Sequence, residues 1–327
     1  YRCLHGFRRQ DLLDNHVELC KNVTVQRITM PSKKDNTMKF TNIQKQLPTY
    51  FRVYADFESI LKELDVETSP IGISEDVTSK SVKYQEHIPC SYAYKVVSSV
   101  PEYQPELKVS DVSDNAAKYF LTDIQNVADH IMTEYILKPK AKPHVNQLTA
   151  EQRHRYYNDD CHICGEAIRS GHNIPLRERR VLDHCHFINE PGQEFGKFRG
   201  PAHSNCNLQY KINPETWKLP VIIHNFKGYD SHLIIKALER ANGTVKVIPN
   251  NMEKYMSMSV GQVRFIDSFQ FMNSGLAELV GNLDASELHF TCAEFPEHDQ
   301  FELVKQKGVY PYEYFTSVNR FTETQLP

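Results

Sequence analysis

The chain has 327 residues, 40% of them hydrophobic and 24% charged, which allows two or three domains with sizeable cores and matches a soluble globular protein. A net charge of −3 excludes a broadly basic nucleic-acid binder, and even residues 150–213 carry nine Lys/Arg against eight Asp/Glu. No apolar run reaches membrane-spanning length and no signal peptide is visible, while five of the eight cysteines stand at metal-ligand spacing, which points to a reducing, intracellular setting and no membrane partner.

The chain opens on Tyr1, inside a motif, and so reads as a piece of something longer. Within residues 1–25, Cys3, His16 and Cys20 are separated by twelve and then three residues, with Phe7 and Leu12 at the core positions of a small finger. The pattern resembles a C2H2-type zinc finger, here of C2HC form, that lacks its first Cys. The competing reading is an amphipathic helix holding a stray His and Cys. Residues 26–48 read as a polar, turn-like linker around Pro31-Ser-Lys-Lys-Asp-Asn-Thr.

Thr49–Ile60 is rich in β-branched and aromatic residues and reads as a buried strand. Asp56 and Glu58 are two apart, so a strand presents both carboxylates on one face, a costly arrangement unless a cation binds them. Ile88–Ser99 reads as a second strand. A helix fits Asn115–Ile136, with Phe120, Ile124, Val127, Ile131 and Tyr135 as its core stripe and Asp114 as its cap. Lys138–Tyr157 is polar and basic-aromatic and leads into a distinct module.

That module holds Cys161-x2-Cys164, then Asp183-His184-Cys185-His186, then His203-x2-Cys206-Asn207. Two short-spaced pairs let four side chains converge on one tetrahedral ion, so Cys161, Cys164, His203 and Cys206 form a Cys3His zinc set. Asp183, His184, His186 and Asn207 are left over, which suggests a second, catalytic metal. The whole pattern resembles the zinc-stapled ββα-metal (HNH) nuclease module of the recombination endonuclease VII type, with His203 where that family commonly has Cys. The resemblance implies His184 as the general base, Asp183 and Asn207 as Mg2+ ligands, and His186 as a residue that places the scissile phosphate. A zinc-stapled fold with a decayed nuclease site is the other reading.

Further on, Val221–His224 reads as a short strand, Gly228 as a tight turn and Ser231 as a cap. Leu233, Ile234, Ala237 and Leu238 begin a helix that Asn242-Gly243 ends. Asp230 lies at this strand-to-helix junction. Strands follow at Thr244–Pro249 and Gln262–Phe271, with Asp267 as a strand-end or capping acid. A helix on Leu276, Leu279, Val280 and Leu283 starts behind Asn273 and Ser274. The aromatic tail from Lys307 serves either packing or contact with a nucleic-acid strand.

Asp56-Phe-Glu58 is similar to the first exonuclease motif of RNase H-like (DnaQ) proofreading domains. Asn225-Phe-Lys-Gly-Tyr-Asp230 resembles the second such motif of family B DNA polymerases. The resemblance implies that Asp56, Glu58 and Asp230 hold two Mg2+ or Mn2+ ions for attack of water on a 3′-terminal phosphodiester, and that Asn225 contacts the substrate strand. In their order, these motifs resemble the N-terminal half of protein-primed family B DNA polymerases of Maverick/Polinton transposons and related viruses. The implied fold is α/β: an RNase H-like exonuclease domain with a mixed sheet (49–148 and 215–285), interrupted by the ββα-metal module (149–214). A partial finger precedes it, and 286–327 begins the next segment. The implied partners are DNA, as a single-stranded 3′ end or primer-template, and a terminal priming protein, at a nuclear or viral replication site. The implied cofactors are structural Zn2+ and catalytic Mg2+ or Mn2+. Beyond Asp230, neither the Tyr-x3-Asp third motif that family members carry further on nor the paired palm aspartates is found before Pro327, so the expected fragment has an incomplete exonuclease and does not polymerise. The alternatives are a stand-alone HNH endonuclease and a non-catalytic DNA-binding zinc module.

Overall fold

The computed structural model describes residues 3, 5–24, 30–33, 36–38, 46, 48–64, 84–238, 245–251 and 254–325. Two compact units are present, Tyr1–Gln46 and Leu47–Pro327. In the first, helix α1 (Gln10–Lys21) has no buried residue. Phe7 lies against the rings of His5 and His16, at 4.5 and 4.7 Å between centroids. Leu12 is 47% exposed and so is not the core residue its spacing suggests. Among the described residues of this unit, no second element faces α1 to cover it.

The second unit is mixed α/β. Its strands and helices in chain order are β1 (Phe51–Glu63), β2 (Gln85–Ser98), β3 (Lys108–Val109), α2 (Ala116–Ile131), α3 (Ala150–Asn158), β4 (Arg180–Asn189), β5 (Gly196–His203) and α4 (Ser204–Tyr210). After them come β6 (Leu219–Ile223), α5 (Asp230–Leu238), β7 (Val245–Pro249), β8 (Tyr255–Val260), β9 (Val263–Asp267), α6 (Leu276–Gly281), α7 (His289–Glu294) and α8 (His298–Val304). A seven-stranded sheet runs β3-β2-β1-β6-β9-β8-β7, and β4 and β5 form a separate hairpin. The large sheet is mixed: β1, β6 and β9 are parallel neighbours, while β2, β3, β8 and β7 pair antiparallel. The hairpin and α4 lie between the two groups of strands in the chain.

The core follows from periodicity. On β1, Phe51, Val53 and Phe57 point inward while Tyr54, Asp56 and Glu58 stay exposed, the alternation a pleated strand imposes. On α2, Phe120, Ile124 and Ile131 are fully buried, and Val127 and Tyr135 pack beside them. A π-helical turn (Met132–Ile136) continues α2 to its expected end. Phe120 stacks edge-on against Phe57 and Tyr92, at 4.8 and 5.3 Å. Cys185 and Phe187 of the hairpin join this same core.

Several local expectations need correction. Asn115, not Asp114, occupies the N-cap of α2, and no side chain caps it. α5 begins at Asp230, so Ser231 lies inside the helix, where its hydroxyl donates to the Lys227 carbonyl at 3.5 Å. Gly275 is the N-cap of α6, and the Ser274 hydroxyl instead meets Glu278. Asp267 ends β9, and its carboxylate accepts from the Phe269 and Lys227 amides at 2.9 and 3.0 Å. The extended stretch expected over 262–271 is therefore shorter, turning 3-10 helical at Ser268. β8 was not anticipated. Asn242, Gly243 and Thr244 lie outside the described residues. Among the described residues no helix is long and apolar enough to cross a membrane.

Candidate metal centres and nuclease site

In open α/β sheets ligands gather at the carboxyl ends of parallel strands. Here β1 and β6 are in register at Tyr54 and Ile222. Asp56 and His224 therefore stand two residues beyond that pair, where β6 ends and β1 runs on. Asp230 opens α5 after the turn that follows β6 and is only 3% exposed. Its Oδ1 is buried and has no hydrogen-bond partner among the described residues. Burial, followed by the negative charge of Asp56, pushes the Asp230 carboxyl up to about 7, with Asp267 and Glu58 adding to it. Asp56 and Glu58 are open to solvent, yet partial desolvation raises both, and Asp56 further raises Glu58. The turn holds Asn225 in the left-handed region, at φ 61°. Gly228 leaves room for its side chain, since a Cβ there would lie 2.6 Å from Asn225 Oδ1.

Aromatic groups surround these acids, Tyr229 from within the second motif and Tyr310 and Tyr312 from outside any motif. The Tyr229 hydroxyl is 2.8 Å from His87 Nδ1. Burial raises the Tyr229 phenol, with Asp230, Tyr312 and Glu58 adding their charge. Tyr310 and Tyr312 stand close enough to Glu58 for its charge to contribute to their raised phenols, after desolvation. Part of the aromatic tail thus stands beside the sheet acids, a placement that only the Tyr-rich composition of 310–315 hinted at.

The expected zinc ligands converge. Cys161, Cys164, His203 and Cys206 offer four ligand atoms, all within 4.8 Å of one another. His203 Nδ1 is 3.4 Å from Cys164 Sγ and 4.0 Å from Cys206 Sγ, and the His203 amide donates to Cys161 Sγ at 3.4 Å. Burial alone would raise the Cys161 thiol. Backbone donors at Cys164, His203 and Ile163 outweigh that and bring it down to about 7, easing formation of the thiolate that zinc needs. The donor set and spacing fit a closed tetrahedral zinc. Cys3, His16 and Cys20 form a second convergent group, with Cys3 Sγ 3.1 Å from His16 Nε2. Three ligands leave one position of a tetrahedral ion to be filled. Among the described residues these are the only such groups, so Asp56, Glu58 and Asp230 are linked by repulsion without that degree of convergence.

The remaining hairpin residues are arranged by two breaks in register. Asp183 pairs with Gly200 and His184 with Phe198, leaving Arg199 as the extra residue of a β-bulge. Between His184 and Asn189, β4 then carries residues 185–188 opposite Lys197 alone. His184 and His186 fall together, with ring centroids 4.9 Å apart. Burial lowers His184 below its ordinary value and takes His186 down to about 4, with His184 and Arg199 adding positive charge, so both are neutral at pH 7. Asp183 is only 1% exposed, and Arg199 and His162 engage both of its oxygens. A cation at Asp183 would compete with those partners. Asn207 lies half-buried on α4 beside Cys206. Neither Arg199 nor His162 was given a role in a site, although His162 sits inside the Cys161-x2-Cys164 knuckle and Arg199 opens the Arg199-Gly-x2-His203-x2-Cys206-Asn207 stretch of the motif. Comparison with protein-family models, curated proteins and solved structures gave no match to this chain.

Proposed function

We propose that this chain contributes the 3′→5′ exonuclease region of a DNA polymerase of the protein-primed family B kind, with an RNase H-like sheet carrying the nuclease acids and a zinc-stapled insert docked on it. The carrying observation is Asp230: a buried carboxylate with an unpartnered oxygen, beside Asp56 and Glu58, whose ionisation is opposed until positive charge arrives. Asp56, Glu58 and Asp230 would hold Mg2+ or Mn2+, which supplies charge stabilisation at the scissile phosphate and an activated water. Asn225, exposed at the turn, is available to hydrogen-bond a terminal nucleotide, and Tyr229 and Tyr312 offer rings for a base to stack on. The test is digestion of 5′-labelled single-stranded DNA and of a mismatched primer-template with Mg2+. Stepwise shortening from the 3′ end, slow because no third-motif Tyr and Asp complete the site, and lost in the Asp56→Ala and Asp230→Asn variants, is the expected result. Undiminished shortening in both variants would sink the assignment.

A second reading, an HNH endonuclease, is favoured by one observation: His184, lowered below its ordinary value by burial, sits beside His186 on a hairpin that leads into α4, which carries the candidate zinc ligand Cys206. It predicts Mg2+-dependent nicking of plasmid DNA that disappears in His184→Ala. Its cost is Asp183, whose carboxylate is already committed to Arg199 and His162. DNA binding without cleavage, lost when zinc is removed, would instead favour a binding module.

A further inference from the structure

Arg199 stands where three parts of the second unit meet. Its Nε and Nη2 donate to the two Asp183 oxygens, each at 2.8 Å. Its Nη1 donates to the Tyr50 hydroxyl at 3.1 Å, and its guanidinium lies 4.0 Å over the Tyr210 ring of α4. Asp183 in turn is 2.8 Å from His162 Nε2, and His162 lies between the zinc ligands Cys161 and Cys164. The contact is tight, because a Cβ added at Gly200 would lie 2.9 Å from His162 Cβ. At the far end, Tyr50 is the residue before β1, its carbonyl accepts from the Ser99 amide at 2.9 Å, and its ring meets Phe187 at 4.7 Å. A planar guanidinium grips both oxygens of a carboxylate and a hydroxyl in fixed relative directions, which the rotatable donors of a single ammonium do not set.

We propose that Arg199 is a positioning residue that joins the zinc knuckle to strand β1, so that zinc occupancy at Cys161, Cys164, His203 and Cys206 is felt at the strand carrying Asp56 and Glu58. The bulge on β5 turns Arg199 out of the ladder and towards Asp183. With zinc bound, the knuckle fixes His162, His162 and Arg199 fix Asp183, and Arg199 fixes Tyr50. Without zinc, the knuckle loosens, and the buried Asp183–Arg199 pair loses the neighbour that shares its charge. The tie to β1 weakens with it. This rests on zinc binding and not on any nuclease activity, so failure of the exonuclease assignment would leave it standing.

The test is amide hydrogen exchange of the whole chain, zinc-loaded and chelator-stripped, in wild type, Tyr50→Phe and Arg199→Lys. In wild type, zinc removal is expected to speed exchange in 180–189 and, roughly tenfold, in 51–57, while α2 peptides stay protected. Tyr50→Phe keeps the ring on Phe187 and removes only the hydroxyl. In that variant 180–189 should still respond to zinc, while 51–57 should respond by less than roughly twofold. Arg199→Lys, with one ammonium in place of the fork, should uncouple in the same way. An unchanged 51–57 in wild type would overturn the proposal. So would an equal response in wild type and Tyr50→Phe, or a loss of α2 protection that matches that of 51–57.

Discussion

Asp230 makes a demanding prediction, because its burial and its repulsion by Asp56 give a folding cost with a definite pH window. Its carboxyl moves from 3.8 to about 7 in the folded protein. A carboxyl raised on folding holds its proton in the native state after the unfolded chain has lost it, so stability falls as pH rises through that window and levels off above it. At about 1.4 kcal/mol per unit, the group costs roughly 4 kcal/mol above pH 7, of which about 2–3 kcal/mol appears between pH 5 and pH 8. Asp230→Asn removes the charge and keeps the shape. A buried, unpaired amide brings its own penalty of about 1–3 kcal/mol, but that penalty does not depend on pH. The slope is therefore the clean signal. Urea unfolding at pH 5, 6, 7 and 8, in zinc-containing buffer without Mg2+, should show a decline in wild type that is shallower by about 2–3 kcal/mol in the variant. Mg2+ should restore stability to wild type at pH 8 and leave the variant unmoved, as a ligand that binds only the folded carboxylate cluster must. Parallel slopes in the two proteins, with or without Mg2+, would refute the argument.

Other perturbations have equally definite outcomes. Asp183 is held below the usual carboxylate range: burial opposes this, but His162 and Arg199 outweigh it, so its contribution to stability is present above its unfolded value of 3.8 and lost as pH falls through the folded one. Asp183→Asn should therefore destabilise the protein by about 3–5 kcal/mol at pH 7, and the difference should shrink in urea titrations run at pH 3. Gly196→Ala would place a methyl 2.1 Å from the Cys185 carbonyl oxygen and 2.8 Å from His184 Cδ2, so the hairpin must open and circular-dichroism melts should show a clear loss of stability. Cys206→Ser should remove one bound zinc per chain by metal analysis, leaving any zinc on Cys3, His16 and Cys20 in place. Phe120→Ala, at the centre of the α2 face, should cost about 3–5 kcal/mol in urea unfolding.

Features that depend on near neighbours along the chain were legible in the sequence. The Cys161-x2-Cys164 and His203-x2-Cys206 pairs converge because two ligands on one turn approach each other in any fold that keeps the turn. The α2 stripe is buried because a 3.6-residue repeat puts Phe120, Ile124 and Ile131 on one side. Asp56 and Glu58 share the exposed face of β1 because the pleat has a period of two. Caps were read less well: Asp114, Ser231 and Ser274 carry suitable side chains, but the chain enters each helix one or more residues away. Other features arise where segments distant in the chain pack together. Arg199 reaches Asp183 across a bulge 16 positions away and Tyr50 across 149, and Tyr310 and Tyr312 come to stand beside Glu58 from the far end of the chain. Asp230 was recognisable as an acid at a strand-to-helix junction, but its burial and the rise of its carboxyl to about 7 come from groups that other strands bring to it. Periodicity states which face of an element is apolar or charged. It does not state which distant element covers that face, and a buried charge takes its properties from what covers it.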